Sequence, residues 1–143
     1  ADPRKSNMKD KVNSAIKFRE SFRPFAPATL KEHSNLIFSK PKNRNVFFME
    51  RAYKIKSSWR NKIKAVCHVD NTGRIQTVDK TIHKKFYKLI NEFFKISKVP
   101  VVLNTSFNLN GEPVVMTPKD AIRTFFSCGL DVLYIGNYVV TKK

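Results

Sequence analysis

The sequence predicts a mixed α/β (α+β) domain, a twisted mixed β-sheet flanked by helices, and three observations predict it. Strand-like and helix-like segments alternate along the chain, which is the pattern of a sheet packed against helices. Val99 to Leu103 is a continuous apolar run of β-branched character, suited to a strand buried on both faces. Thr81 to Ile96 carries Ile82, Phe86, Leu89, Ile90, Phe93 and Phe94 at helical spacing, with Lys84, Lys85 and Lys88 on the other face. A chain of 143 residues is long enough for one domain with a proper core, so residues 1–143 are read as a single domain.

The remaining elements follow in order. Met8 to Phe18 places Met8, Val12, Ala15, Ile16 and Phe18 on one side of a helix. Pro24 and Pro27 stop that helix and make Phe22 to Pro27 extended. A short helix is expected over Thr29 to Phe38, a polar loop over Asn35 to Asn45, and a strand over Val46 to Ile55. Ile63 to Val69 alternates like a strand. With the turn signal Asp70-Asn71-Thr72-Gly73 and a returning strand Arg74 to Val78, it reads as a hairpin. Thr117 is an N-cap with Pro118 at the first helical position, and that helix runs to about Cys128 before Gly129. Leu130 to Ile135 and Tyr138 to Thr141 form a closing strand pair around Gly136-Asn137.

Composition narrows the function classes. Lys and Arg number 28 against 11 Asp and Glu, a formal charge of +17. That excess points to an anionic partner or to lysine-rich compositional drift on an ordinary surface, and charge alone does not choose. No apolar run approaches the roughly 20 residues that span a bilayer, and the first residues carry charge without a signal-type apolar stretch. A cytoplasmic protein with no membrane partner is therefore expected. Cys67 and Cys128 lie in apolar neighbourhoods and read as buried free thiols in preference to a disulfide. His33, His68 and His83 are scattered, so no metal site is expected, and no Walker loop or GxGxxG is present.

The informative stretch is Val101 to Val115, where a buried strand runs out into Asn104, Thr105, Ser106 and Asn108. The carboxyl end of a central strand is a common ligand position in α/β sheets. Hydroxyl and amide groups there can hold phosphate or a planar urea-like group without adding charge. A polar turn capping its own backbone explains the same residues, and the residues alone leave both readings open. Lys17, Arg23 and Arg74 flank structural transitions and are candidate anion donors, Arg by bidentate contacts and Lys as a point charge.

Several blocks then match one family. They are Ala1 to Arg4 with Met8 and Asn13, Lys17-Phe18-Arg19-Glu20, and Phe22 to Pro27. They continue with His68-Val69-Asp70, Thr72 to Val78, Leu103 to Asn108, Gly111-Glu112-Pro113, Thr117-Pro118 with Asp120-Ala121, and Leu130-Asp131. In this order the chain resembles the carboxy-terminal, YrdC-like domain of the O-carbamoyltransferases of nodulation-factor and antibiotic biosynthesis.

The resemblance implies a domain that forms carbamoyl adenylate from ATP, accompanied by Mg2+, and carbamoyl phosphate. An amino-terminal, actin-like ATPase-type half, absent here, would then pass the carbamoyl group to a hydroxyl acceptor. Carried over by position, Lys17, Arg23, Arg74 and Ser106 become the catalytic set, with Asn104, Thr105 and Asn108 holding substrate or nucleotide. Asn71 stands where the family pattern has glycine, and Phe47 to Trp59 is unusually basic for it. A different class of function, a non-catalytic nucleic-acid-binding module of the same fold, is the alternative that the charge supports.

Overall fold

The computed structural model describes residues 1–40 and 44–142. In chain order it contains α1 (Met8–Val12), a π-helical turn (Asn13–Lys17), β1 (Ala26–Leu30), a 3-10 turn (Lys31–His33) and α2 (Ser34–Ile37). Next come β2 (Phe38–Ser39), β3 (Ala52–Ile55), α3 (Ser57–Arg60), a second 3-10 turn (Lys64–Val66), β4 (Thr72–Arg74) and β5 (Gln76–Val78). The chain finishes with α4 (Lys84–Ser97), β6 (Val101–Asn104), α5 (Pro118–Phe126), β7 (Val132–Ile135) and β8 (Tyr138–Thr141). The fold is mixed α/β, and its residues fall into two compact units. One comprises Ala1–Lys9 and Pro24–Thr105, the other Asp10–Arg23 and Ser106–Lys143.

The first unit is organised by a three-stranded sheet ordered β5-β1-β6, with β1 parallel to β5 and antiparallel to β6. All five residues of β1 are buried, as are Val101, Val102 and Leu103 of β6, which fits central and apolar strands. Helix α4 lays Ile90 onto Ala28, Leu30, Val78 and Val102, with Phe86, Tyr87, Phe93 and Phe94 around them. Pro27 sits inside β1 opposite Leu103. Leu103 turns its own N–H and C=O to Ala1, so the missing proline N–H removes no bond between the strands.

A second three-stranded sheet, β2-β3-β4, is antiparallel throughout. The turn into β4 is held by Asp70, whose Oδ1 accepts from the Thr72 N–H (3.0 Å) and hydroxyl (2.7 Å). Asn71 takes φ 62°, a left-handed conformation that asparagine tolerates better than most residues. The glycine that the resemblance leads one to expect at this position would adopt the same conformation freely.

In the second unit α5 packs Ala121 and Phe125 on Leu133 of the β7-β8 hairpin, bordered by Phe107, Leu130, Ile135 and Val140. Its start is a capping box. The Thr117 hydroxyl accepts from the Asp120 N–H, and the Asp120 carboxylate accepts from the Thr117 N–H.

Several sequence expectations are corrected. Ile63 to Val69 is not a strand, so the expected hairpin reduces to its turn. The segment coils into a 3-10 turn that buries Ile63, Ala65 and Val66, and the Ala65 N–H donates to Pro3 O, 62 positions earlier. The strand expected over Val46 to Ile55 exists only from Ala52. Val46 bonds to Thr77 instead, and Met49 at φ 58° breaks the extended run.

Thr29 and Leu30 belong to β1, and helical turns occupy only residues 31–37 of the helix expected there. Asn35 to Ile37 and Phe38-Ser39 are helix and strand where a loop was expected, and residues 41–43 of that loop lie outside the described residues. The α4 helix starts three residues late because Asp79 Oδ1 holds the Thr81 N–H and hydroxyl in a turn. Cys67 and Cys128 are free, as expected, but half-buried; desolvation pushes the Cys67 thiol up from its ordinary pKa.

Candidate functional site

The second unit brings one cluster together around Lys17. Helix α1 passes into a π-helical turn, and the wider turn rotates the chain so that Lys17 faces inward. Lys17 is 5% exposed, whereas Phe18, expected on the buried face, is 64% exposed. Straight 3.6-residue periodicity gives the opposite assignment, so the expectation for Phe18 is corrected by the change of helical pitch.

The turn is held at its end. The Phe18 N–H donates to Asn13 O at 2.7 Å, and Phe18 takes φ 46°. Asn13 clasps the following peptide from both sides: its Nδ2 donates to Arg19 O (2.6 Å), and its Oδ1 accepts from the Arg19 N–H (3.3 Å). The Gly129 N–H caps Ala15 O at 2.7 Å. A Cβ at Gly129 would stand 3.2 Å from the Ala15 Cα, tight enough that the Ala15 backbone would have to shift by a few tenths of an ångström.

The Lys17 ammonium meets four oxygens. It donates to Ser106 O (2.7 Å), Ser106 Oγ (3.1 Å), Asn108 O (3.1 Å) and Asn108 Oδ1 (2.7 Å). Ser106 Oγ also donates to Asn108 Oδ1 at 2.6 Å, and Asn108 Nδ2 donates to Glu112 O at 2.6 Å. That last bond folds the Asn108–Glu112 loop back on itself and fixes the amide so that its oxygen faces the ammonium.

All four acceptors are neutral, and among the described residues no carboxylate pairs with Lys17. Burial lowers the Lys17 pKa from its ordinary value, and the nearby Arg19 charge lowers it further. Ser106 itself is exposed, so the cluster reaches the surface. A lysine desolvated, hydrogen-bonded and left uncompensated is suited to receive an anionic oxygen.

The other sequence-derived candidates are placed differently. Arg23 is exposed and pairs with Glu20 at 3.6 Å, an i,i+3 surface contact. Arg74, Asn104 and Thr105 belong to the first unit. Arg74 is exposed at the end of β4, opposite Ala52. Asn104 spends its Nδ2 on Gln76 Oε1 at 2.8 Å, reaching across β1 where Ala26 and Ala28 are small enough to allow it. Thr105 follows β6 and is half-buried.

Two contributors escaped the sequence reading. Asn13 shapes the turn that aims Lys17, and Arg19 adds positive charge beside it. Both sit in the matched blocks, but nothing in a 3.6-residue period signals the π turn that gives them those positions. Among the described residues no group of three or more His, Cys, Asp or Glu could hold a metal ion, and no helix is long and apolar enough to cross a membrane.

Comparison with known proteins gives the family of the chain. The chain is 44% identical over 144 residues to nodulation protein NolNO of Sinorhizobium fredii, covering 100% of this chain and 21% of that protein. It is 41% identical to nodulation protein NolO of Bradyrhizobium diazoefficiens, again over 100% of this chain and 26% of the relative. Nodulation protein U of Azorhizobium caulinodans is 36% identical over 105 residues, 73% of this chain and 18% of that protein. The chain thus spans about a fifth to a quarter of the length of the relatives that it matches throughout. The carbamoyltransferase C-terminus family model covers residues 1–142, and the chain therefore belongs to the carbamoyltransferase family as a C-terminal domain.

Proposed function

We propose that this chain is the carbamoyl-activating portion of an O-carbamoyltransferase, forming carbamoyl adenylate from ATP and carbamoyl phosphate. A preceding half of the protein would then transfer the carbamoyl group to a hydroxyl acceptor. The observation that carries the reading is the buried, carboxylate-free Lys17 ammonium presented by Ser106 and Asn108.

The chemistry divides into two balanced parts. Carbamoyl phosphate and water give carbamate and phosphate. A carbamate oxygen then bonds to the α-phosphorus of ATP as the bond to pyrophosphate breaks. Both parts build negative charge on oxygens, and neither needs a protein nucleophile. Fixed cationic donors lower such barriers because their orientation is set before the charge develops. In this reading Lys17 holds a carbamoyl or phosphate oxygen, with the Ser106 hydroxyl and the Asn108 amide orienting the planar group. Arg19 raises the local positive potential. Arg23, exposed and basic in the same unit, is proposed to meet the outer phosphates of the nucleotide. Mg2+ would arrive with ATP, since the Lys17 cluster offers no carboxylate as a hard-cation ligand.

Titration calorimetry at near-physiological salt tests it, using ATP alone, carbamoyl phosphate alone and both together. Saturable binding that Ser106→Ala weakens at least tenfold is expected. A basic surface that holds nucleic acid would instead show a steep salt dependence, indifferent to Ser106→Ala. That result, with no binding of either small ligand, would replace this reading.

A further inference from the structure

In the first unit a groove of about 400 Å³ opens between α4 and the end of β6. Phe86, Leu89 and Phe93 line it from the helix, and Val102 and Leu103 from the strand. Leu89 is 52% exposed, and Ile96, two turns further on the same helix, is 86% exposed. The lining is apolar, yet Ala1 sits at the groove itself.

Ala1 is held as a strand residue is held. Its nitrogen donates to Leu103 O at 3.0 Å, and the Leu103 N–H donates back to Ala1 O at 2.9 Å. A reciprocal pair of this kind defines an antiparallel register with Ala1 opposite Leu103. Burial lowers the pKa of the Ala1 ammonium, because a charge is desolvated there. A peptide N–H at the same place makes the same bond with no charge to desolvate.

Following Ala1 the pairing ends. Pro3 has no N–H to offer, and its carbonyl accepts from Ala65. Asp2 and Arg4 close on each other through Arg4 Nη2 and Asp2 Oδ2 at 2.7 Å, with the guanidinium 5.6 Å from the centre of the Phe93 ring. On the other side of Ala1 the strand edge stays open. In this register the residue two places ahead of Ala1 faces Thr105. Among the described residues, neither the Thr105 N–H nor its C=O has a hydrogen-bond partner. β6 is an edge strand of its sheet, and such an edge is a template for a further strand.

The relatives supply the occupant. The family model is a C-terminus, and the matched relatives are four to five times longer than this chain. We infer that the polypeptide immediately preceding residue 1 in the full-length protein adds an antiparallel strand to the open edge of β6, pairing with Thr105, and packs apolar side chains into the groove against Leu89 and Phe93. The residue directly ahead of Ala1 stands opposite Asn104, on the side of the sheet that carries Val102 and α4, and is expected to be apolar.

Backbone hydrogen exchange tests this on the 143-residue chain and on the same chain carrying its own natural preceding residues. The Thr105 amide is expected to exchange at least tenfold more slowly in the longer polypeptide. Leu89→Asp, at a half-exposed position, should lower the melting temperature of the longer polypeptide and leave that of the 143-residue chain unchanged. Equal Thr105 exchange in both polypeptides overturns the inference. So does concentration-dependent self-association of the 143-residue chain that Leu89→Asp abolishes, which would assign the groove to a second copy. Neither arm involves ATP or carbamoyl phosphate, so failure here leaves the proposed activity standing.

Discussion

Asn108 separates holding the Lys17 ammonium from presenting it. Its Oδ1 accepts from Lys17 and from Ser106, and its Nδ2 donates to Glu112 O. Asn108→Ala removes all three bonds. One involves a charged donor, worth about 1.5–3 kcal/mol, and two are neutral, worth about 0.5–1.5 kcal/mol each. The site is half-buried, so water recovers part of that sum, leaving an expected loss of about 2–3 kcal/mol. Asn108→Asp keeps both acceptor contacts, loses the bond to Glu112 O, where two oxygens now meet, and gives Lys17 a carboxylate partner whose attraction offsets that contact. Its stability should fall within about 1 kcal/mol of the parent, the value of one neutral hydrogen bond.

Anion binding should respond oppositely. A new negative charge about 6 Å from a bound anionic oxygen, at an effective dielectric of about 20, repels it by about 3 kcal/mol. That corresponds to roughly a hundredfold loss of affinity. Urea denaturation and calorimetric titration with carbamoyl phosphate measure the two quantities on the same samples. Asn108→Asp that binds within threefold of the parent would refute the assignment of this cluster to anion binding. Asn108→Asp as unstable as Asn108→Ala would refute the hydrogen-bond account of the cluster.

The pH dependence of stability should carry the signature of Lys17. Its folded-state pKa lies below the ordinary 10.5, so the unfolded chain binds the proton more tightly and the penalty is complete at lower pH. Stability relative to Lys17→Met should therefore rise as pH climbs from the lowered pKa to 10.5, and a flat difference between the two denaturation series would contradict it. Separately, Thr117→Ala removes the hydroxyl that accepts from the Asp120 N–H and donates to its carboxylate, and should cost about 1 kcal/mol by thermal denaturation. A change below about 0.3 kcal/mol would show that the carboxylate alone caps the helix.

What could be read from sequence was local. The β-branched run before Asn104 became β6, the Ile90 face of α4 became core, and Thr117-Pro118 started α5, because each depends on neighbours within a few residues. The closing strand pair around Gly136 followed from turn chemistry, with Gly136 at φ 62°. The family blocks carry Lys17, Ser106 and Asn108 together with Arg23, Arg74, Asn104 and Thr105, and only the first three meet in the Lys17 cluster.

Tertiary structure decided the rest. Ile63 to Val66 alternates like a strand, but its backbone found Pro3 in place of a neighbouring strand. Val46 was drawn to Thr77 and left the run that ends in β3. Lys17 and Asn108 lie 91 positions apart, and the side on which Lys17 emerges depends on a π turn clasped by Asn13 and met by Gly129. Pattern along a chain reports which side chains prefer burial. It does not report the pitch that a distant contact imposes, and that pitch is what turned a lysine inward and phenylalanine out.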